Sequence, residues 1–251
     1  MEERVAIVTG AGSGIGEATA RLLADAGLDV ALVGRRAERL DAVVGEIAQA
    51  GGSAFAVPTD LARPRAPWDV VEAVLAERGR LDVIVNNAAS FRLKRVDEFT
   101  LEEFDDHVAV NVRAAYFLVQ AALPSLRSSP APVVVNVSSA AAAMYRRGQT
   151  VYGLTKAALE HLTMNMAAEL APERIRVVCV RPGPVATELH LAVADPEGRL
   201  RELGKLVPLG RVAQPVEIAR WIGHVVDPEA EWVTGTVFTI DGGRVLGPPE
   251  V

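Results

Sequence analysis

The sequence predicts one α/β domain, a doubly wound parallel sheet with helices on both faces, and three observations predict it. Short β-branched runs alternate with helical patterns along the whole chain. Most of these runs are apolar at successive positions, as strands covered on both sides must be. The chain has 251 residues, half of them apolar, which is enough for one substantial core, and no linker, repeat or low-complexity tract divides residues 1–251.

Strands are expected at Val5 to Thr9, Val30 to Val33, Ala54 to Pro58, Val83 to Asn86, Val133 to Ser138, Ile175 to Arg181 and Val237 to Ile240. Helices are expected between them, at Gly16 to Ala26, Ala37 to Ala50, Trp68 to Arg78, Leu101 to Leu126, Thr150 to Leu170 and Val216 to Val226. Ser128 to Pro132 reads as a connecting loop. The segment 182–208 opens Pro-Gly-Pro and contains Asp195-Pro-Glu-Gly198, so it reads as a long irregular excursion, suited to a substrate lid.

A formal charge of −6 argues against a broad nucleic-acid or membrane footprint and favours a small-molecule partner. The lone Cys179 lies in the apolar run Ile175 to Val180, which marks a packed core thiol and forbids an internal disulfide. His107, His161, His190 and His224 are scattered, and no Cys/His cluster has metal-ligand spacing, so no metal is expected. The N-terminus lacks a signal-peptide pattern, and no apolar run approaches the roughly 18 residues of a membrane span, so a cytoplasmic location is expected.

Thr9-Gly-Ala-Gly-Ser-Gly-Ile-Gly16 follows the first strand and opens a helix. Backbone N–H groups around Gly10, Ser13, Gly14, Ile15 and Gly16 are then placed to receive a pyrophosphate. The second strand ends Val33-Gly-Arg-Arg36, without the carboxylate that would hold a free ribose 2′-OH. Arg35, with Arg36 as a second candidate, offers planar donors for a 2′-phosphate, so NADP(H) is expected over NAD(H).

Tyr152 and Lys156 stand four residues apart in a helical pattern and leave the same face one turn apart. A phenol titrating near about 10 is a poor proton carrier at neutral pH, and an adjacent ammonium would lower it. Ser139 ends a buried strand 13 residues before Tyr152, on the edge where open α/β sheets bind ligands.

With these pieces in place the chain resembles the classical short-chain dehydrogenase/reductase family over essentially its whole length. The resemblance rests on the glycine loop, Asp60-Leu61, Asn86-Asn-Ala-Ala89, Asn111-Val112, Ser138-Ser139, Tyr152-x-x-x-Lys156, Pro182-Gly183 and Asp241-Gly-Gly243. It implies a Rossmann-like fold and an NAD(P)-dependent oxidoreductase of carbonyl and alcohol groups. Ser139 would polarise the substrate oxygen, Tyr152 would transfer the proton, and Lys156 would lower the tyrosine pKa and bind the nicotinamide ribose. Asn111 would support a water-linked proton relay. Asp60 and Leu61 would contact adenine, Asn87 and Ala88 would line the cofactor cleft, and Pro182, Gly183, Val185 and Thr187 would meet the nicotinamide end. Ala89 stands where the family usually has glycine, which raises the question of backbone geometry there.

By the same analogy Ser90, Phe91, Met144, Tyr145, Gln149, Pro184 and the segment 189–206 surround the reacting carbon. A moderately hydrophobic ketone or a 3-oxoacyl group is expected, with Arg92, Arg146 and Arg147 able to meet an anionic tail. The resemblance also implies a homo-oligomer, dimer or tetramer. The alternatives are reduction of C=N or activated C=C bonds, and a non-catalytic NADP(H) sensor.

Overall fold

Each valine-rich strand forms where it is expected because it is sealed between two helical layers. The computed structural model describes residues 4–188 and 194–247. Its elements are β1 (Val5–Thr9), α1 (Gly14–Asp25), β2 (Asp29–Gly34), α2 (Ala37–Gln49), β3 (Ser53–Pro58), α3 (Ala66–Arg78) and β4 (Val83–Asn86). There follow α4 (Leu101–Val108), α5 (Ala114–Ser128), β5 (Val133–Val137), α6 (Thr150–Leu170), β6 (Arg176–Pro182), α7 (Pro196–Gly204), α8 (Pro215–Val226) and β7 (Val237–Ile240).

All seven strands pair in parallel in the order β3-β2-β1-β4-β5-β6-β7. Successive residues of β1 face opposite cores. Ala6 and Val8 pack with Leu23, Val43, Ile218 and Ile222 of α1, α2 and α8. Val5 and Ile7 pack with Val70, Leu118 and Met166 of α3, α5 and α6. The result is a single Rossmann-like domain. Between β1 and β4 the strand order reverses, which opens a crevice above the strand ends at that point.

One buried polar chain runs under this crevice. Asn86 Nδ2 donates to Asn136 Oδ1 at 2.9 Å, and Asn136 Nδ2 donates to Thr163 Oγ1 at 2.9 Å. It joins β4, β5 and α6.

Two expectations need correction. Leu101 to Leu126 is not one regular helix, because a π-helical turn at Ala109–Arg113 separates α4 from α5. An apolar period near 3.6 does not register one inserted residue, and such turns often mark functional sites. Nor is the segment 182–208 irregular throughout. Asp195 Oδ1 accepts from Gly198 N at 2.8 Å and Pro196 opens the first turn of α7, so residues read as a turn are a helix start. Residues 189–193 of that segment, His190 among them, lie outside the described residues.

Candidate active site

Over the β1/β4 crevice lies a cleft of about 370 Å³, lined by Gly10, Ser13, Gly14, Ile15, Arg35, Arg36, Asp60, Leu61, Asn87, Ala88, Tyr152 and Lys156. The loop from β1 reaches it through two left-handed glycines, Gly10 at φ 67° and Gly14 at φ 60°. A Cβ on Gly16 would overlap the Gly10 carbonyl oxygen and lie 2.5 Å from Asn87 Nδ2. The side chain of Ser13 makes no capping hydrogen bond at the start of α1, so the first N–H groups of that helix face the cleft unclaimed. These features fit a pyrophosphate. Thr9 Oγ1 fixes the opposite wall by accepting from Asn87 N at 2.9 Å and Ala88 N at 3.0 Å.

The structure brings to the cleft a carboxylate that the end of the second strand does not itself supply. Glu188, just after β6, lines the cleft and pairs with Arg36 at 3.1 Å and Arg39 at 3.2 Å. Arg36 is thereby partly neutralised. Arg35 makes no side-chain hydrogen bond or ion pair among the described residues, which leaves it as the free donor beside Gly34 and Thr59. Asp60 Oδ1 accepts from Ala62 N at 3.0 Å, holding the turn that carries Leu61.

Tyr152 sits where the cleft meets a smaller pocket of about 130 Å³ that holds Ser139, Met144, Arg146, Gln149, Pro182, Gly183, Pro184, Val185 and Thr187. Ser139 Oγ accepts from Ala141 N at 3.2 Å, which leaves its O–H to donate, and its side chain is close enough to that of Tyr152 to bear on the phenol. The edge of Phe91 meets the Tyr152 ring at 87° with centroids 4.8 Å apart. Lys156 is buried, with Nζ donating to the Val137 carbonyl at 2.8 Å and lying 5.8 Å from the Tyr152 ring centre. Behind it, Ser138 donates to Glu160 Oε1 at 2.7 Å, and Glu160 pairs with Arg181 at 2.5 Å, tying α6 to β6.

Burial dominates the electrostatics of the pair. Burial pushes the Tyr152 phenol up to about 12, against the opposing hydrogen bond from Ser139. Burial also brings the Lys156 ammonium down to about 8. Desolvation therefore dominates at both groups, and Lys156 is not among the causes that shift the phenol. The thiol of Cys179, buried in β6, is pushed up to about 12, chiefly by burial, and is inert.

Asn111 lies in the π-turn and its side chain is committed. It donates to Ser90 O at 3.0 Å and Thr155 Oγ1 at 2.9 Å, and accepts from Ser90 N at 2.7 Å. It clamps the loop after β4 against α6 and is not among the cleft-lining residues. Thr155 in turn donates to the Tyr152 carbonyl at 2.8 Å, so this clamp reaches the tyrosine's own helical turn.

Comparison with known proteins identifies the family. The family model described as Enoyl-(Acyl carrier protein) reductase matches residues 10–244. The chain belongs to the short-chain dehydrogenase/reductase family. The 7alpha-hydroxysteroid dehydrogenase of Escherichia coli (strain K12) is 33% identical over 245 residues, covering 98% of this chain and 95% of that one. The solved L-sorbose reductase of Gluconobacter frateurii, complexed with NADPH and L-sorbose, superposes with a TM-score of 0.94 at 28% identity over 98% of this chain and 97% of that one. A 3-ketoacyl-(acyl-carrier-protein) reductase from Brucella melitensis, complexed with NADH, gives a TM-score of 0.89 at 33% identity over 96% and 98%. As a member of this family the chain is an NAD(P)-dependent oxidoreductase acting on CH–OH/C=O groups.

Several features of this short-chain dehydrogenase/reductase escaped the sequence. Ala89 lines the cleft without a positive φ, so a methyl group is accommodated at the position where glycine is usual. Tyr145 is 97% exposed and Arg92 leans toward Glu103 at 4.0 Å, so neither lines the pocket, whereas Arg146 does. Arg244 lines it too and was not anticipated. Thr9 was legible as the one polar residue of an apolar strand. Glu188 and Arg244 carry no local pattern that would reveal them.

Proposed function

We propose that this protein is an NADP(H)-dependent reductase of a ketone or aldehyde, with Ser139, Tyr152 and Lys156 as its catalytic group. The observation that carries the reading is the Ser139–Tyr152 pair at the junction of the nucleotide-shaped cleft and the small pocket. Ser13, Gly14 and Ile15 would hold the pyrophosphate, and Arg35 the 2′-phosphate. Asp60 and Leu61 would meet adenine, Asn87 and Ala88 the cleft wall, Lys156 the nicotinamide ribose, and Pro182, Gly183, Val185 and Thr187 the nicotinamide end. When bound, the nicotinamide supplies or accepts the hydride.

Ser139 donates to the substrate oxygen and Tyr152 delivers its proton to that oxygen as general acid. A phenol held near about 12 carries its proton at neutral pH, so reduction is the direction served there, and the reverse direction gains as pH rises. Lys156, charged below about 8, favours the phenolate left behind. Asn111 acts as a positioning residue through Thr155. Segment 182–208 would serve as a substrate lid, its residues Pro182 to Val185 and Thr187 already lining the pocket, and exposed apolar side chains on α4 to α6, Phe104, Tyr116 and Leu154 among them, support a homo-oligomer.

The test is a titration with NADPH and NADH, followed by assays of ketones, imines and enones on wild type and Tyr152→Phe. Tighter NADPH, ketone turnover, and a loss of about 10²-fold or more in the variant are expected. Preference for imines or enones would move the reading to C=N or C=C reduction. Binding without turnover of any compound would move it to a sensor.

A further inference from the structure

Two arginines from separate parts of the chain line the small pocket, and the charge of a third acts on one of them. Arg146 comes from the loop before α6, Arg199 from α7, and Arg244 from the turn after β7. Arg146 and Arg244 line the same 130 Å³ pocket as Ser139 and Tyr152. All three are half-buried, and none has a side-chain hydrogen bond or ion pair among the described residues. Burial, then the charges of Arg199 and Arg244, pull the Arg146 guanidinium below its ordinary range.

The acids on the same elements are spent elsewhere. Asp241 accepts from Gly243 N and Val245 N, both at 2.8 Å. Asp195 caps α7 through Gly198 N, and Glu197 faces Arg201 at 3.6 Å. The chain has 32 acidic against 26 basic side chains, and exposed arginines such as Arg63, Arg95, Arg127 and Arg211 each take a carboxylate. Half-buried like charges without a counterion destabilise the fold unless an anion offsets them.

We propose that Arg146, Arg199 and Arg244 form an oxyanion subsite, and that the substrate is a small carbonyl compound bearing a carboxylate or phosphate a few atoms from the reacting carbon. This rests on the reductase reading above. The pocket is short, and two of its arginines share it with the catalytic hydroxyls. It therefore suits a compact oxo acid better than an acyl chain whose phosphate lies at the far end of a carrier arm. The anionic group stays unchanged while hydride reaches the carbonyl carbon and the Tyr152 proton reaches its oxygen.

With NADPH as reductant, 4-oxopentanoate is compared with its methyl ester, and hydroxyacetone phosphate with hydroxyacetone. We expect kcat/KM at least about tenfold higher for one anionic member, chiefly through KM, and the pair with the larger ratio names the group. Arg146→Gln and Arg244→Gln should each bring that ratio down about tenfold, with Arg199→Gln as a further variant if either fails to fold. Thermal melting with glutarate gives a readout independent of turnover, with Tm rising in wild type and not in the variants. Neutral ketones reduced as well as their anionic partners, or a glutarate response retained in both variants, overturn the subsite while leaving the reductase reading intact. A glutarate response confined to wild type, with no carbonyl compound turned over, upholds the anion site and overturns the reductase reading instead.

Discussion

Replacing Lys156 with methionine should make the folded protein more stable while abolishing catalysis. Lys156 is buried, its ammonium has one hydrogen-bond partner among the described residues, the Val137 carbonyl, and no carboxylate is among the groups that shift it. The fall from 10.5 to about 8 corresponds to about 3 kcal/mol against the folded state at neutral pH. Methionine matches the aliphatic stem, and the abandoned Val137 carbonyl costs about 1 kcal/mol. The net gain is about 2 kcal/mol, or roughly 4–8 °C in Tm for a chain of this size. Because the pKa is lowered on folding, the penalty is complete below about pH 8. Between about 8 and 10.5 the unfolded chain binds a proton that the folded one does not, so wild-type stability rises with pH and the variant's advantage shrinks. Cys179 is coupled to Lys156, which lowers it, but its folded thiol, at about 12 with Lys156 present and no lower without it, stays protonated in both proteins up to pH 10 and drops out of the difference. Calorimetry at matched protein concentration from pH 7 to 10 checks this. A variant that melts below wild type at pH 7, or an advantage that does not shrink, would refute the reasoning.

Two further outcomes follow from the cleft. Glu188→Gln removes a carboxylate that competes for Arg36 and Arg39, so NADPH should bind about two- to fivefold tighter at low salt with NADH unaffected, as read by nicotinamide fluorescence. An equal change for both cofactors would sink that account. Gly16→Ala places a methyl group against the Gly10 carbonyl oxygen and Asn87, neither of which can retreat freely, so a loss of about 2 kcal/mol or more in stability and of cofactor binding is expected; unimpaired binding would contradict it.

The sheet was legible because a strand buried on both faces must be written in successive valines and isoleucines, and Val133–Val137 is nearly that alone. Tyr152 and Lys156 were legible because one helical turn separates them. What stayed hidden depends on partners distant in sequence. The Arg36–Glu188 pair spans 152 positions, and the two arginines that line the small pocket, Arg146 and Arg244, lie on opposite sides of α6, β6, α7, α8 and β7 in the sequence. The upward shift of the Tyr152 phenol was hidden for a related reason. Spacing shows that an ammonium is near a phenol, whereas the depth of burial decides whether desolvation outweighs their attraction.

The Asn86–Asn136 bond has a consequence for how the chain finds its fold. In a half-exposed sheet, slipping a strand by one residue turns its apolar side to water and is rejected at once. This sheet has no wet side, so among near-identical valines a slipped β4 or β5 would bury almost the same oil. Asn86 and Asn136 are register partners, and a shift of either strand would strand two amides, and with them the Thr163 hydroxyl, in a dry interior. Two side chains thus act as the key that fixes the alignment of the central strands, and hence the position of every residue they carry up to the cleft.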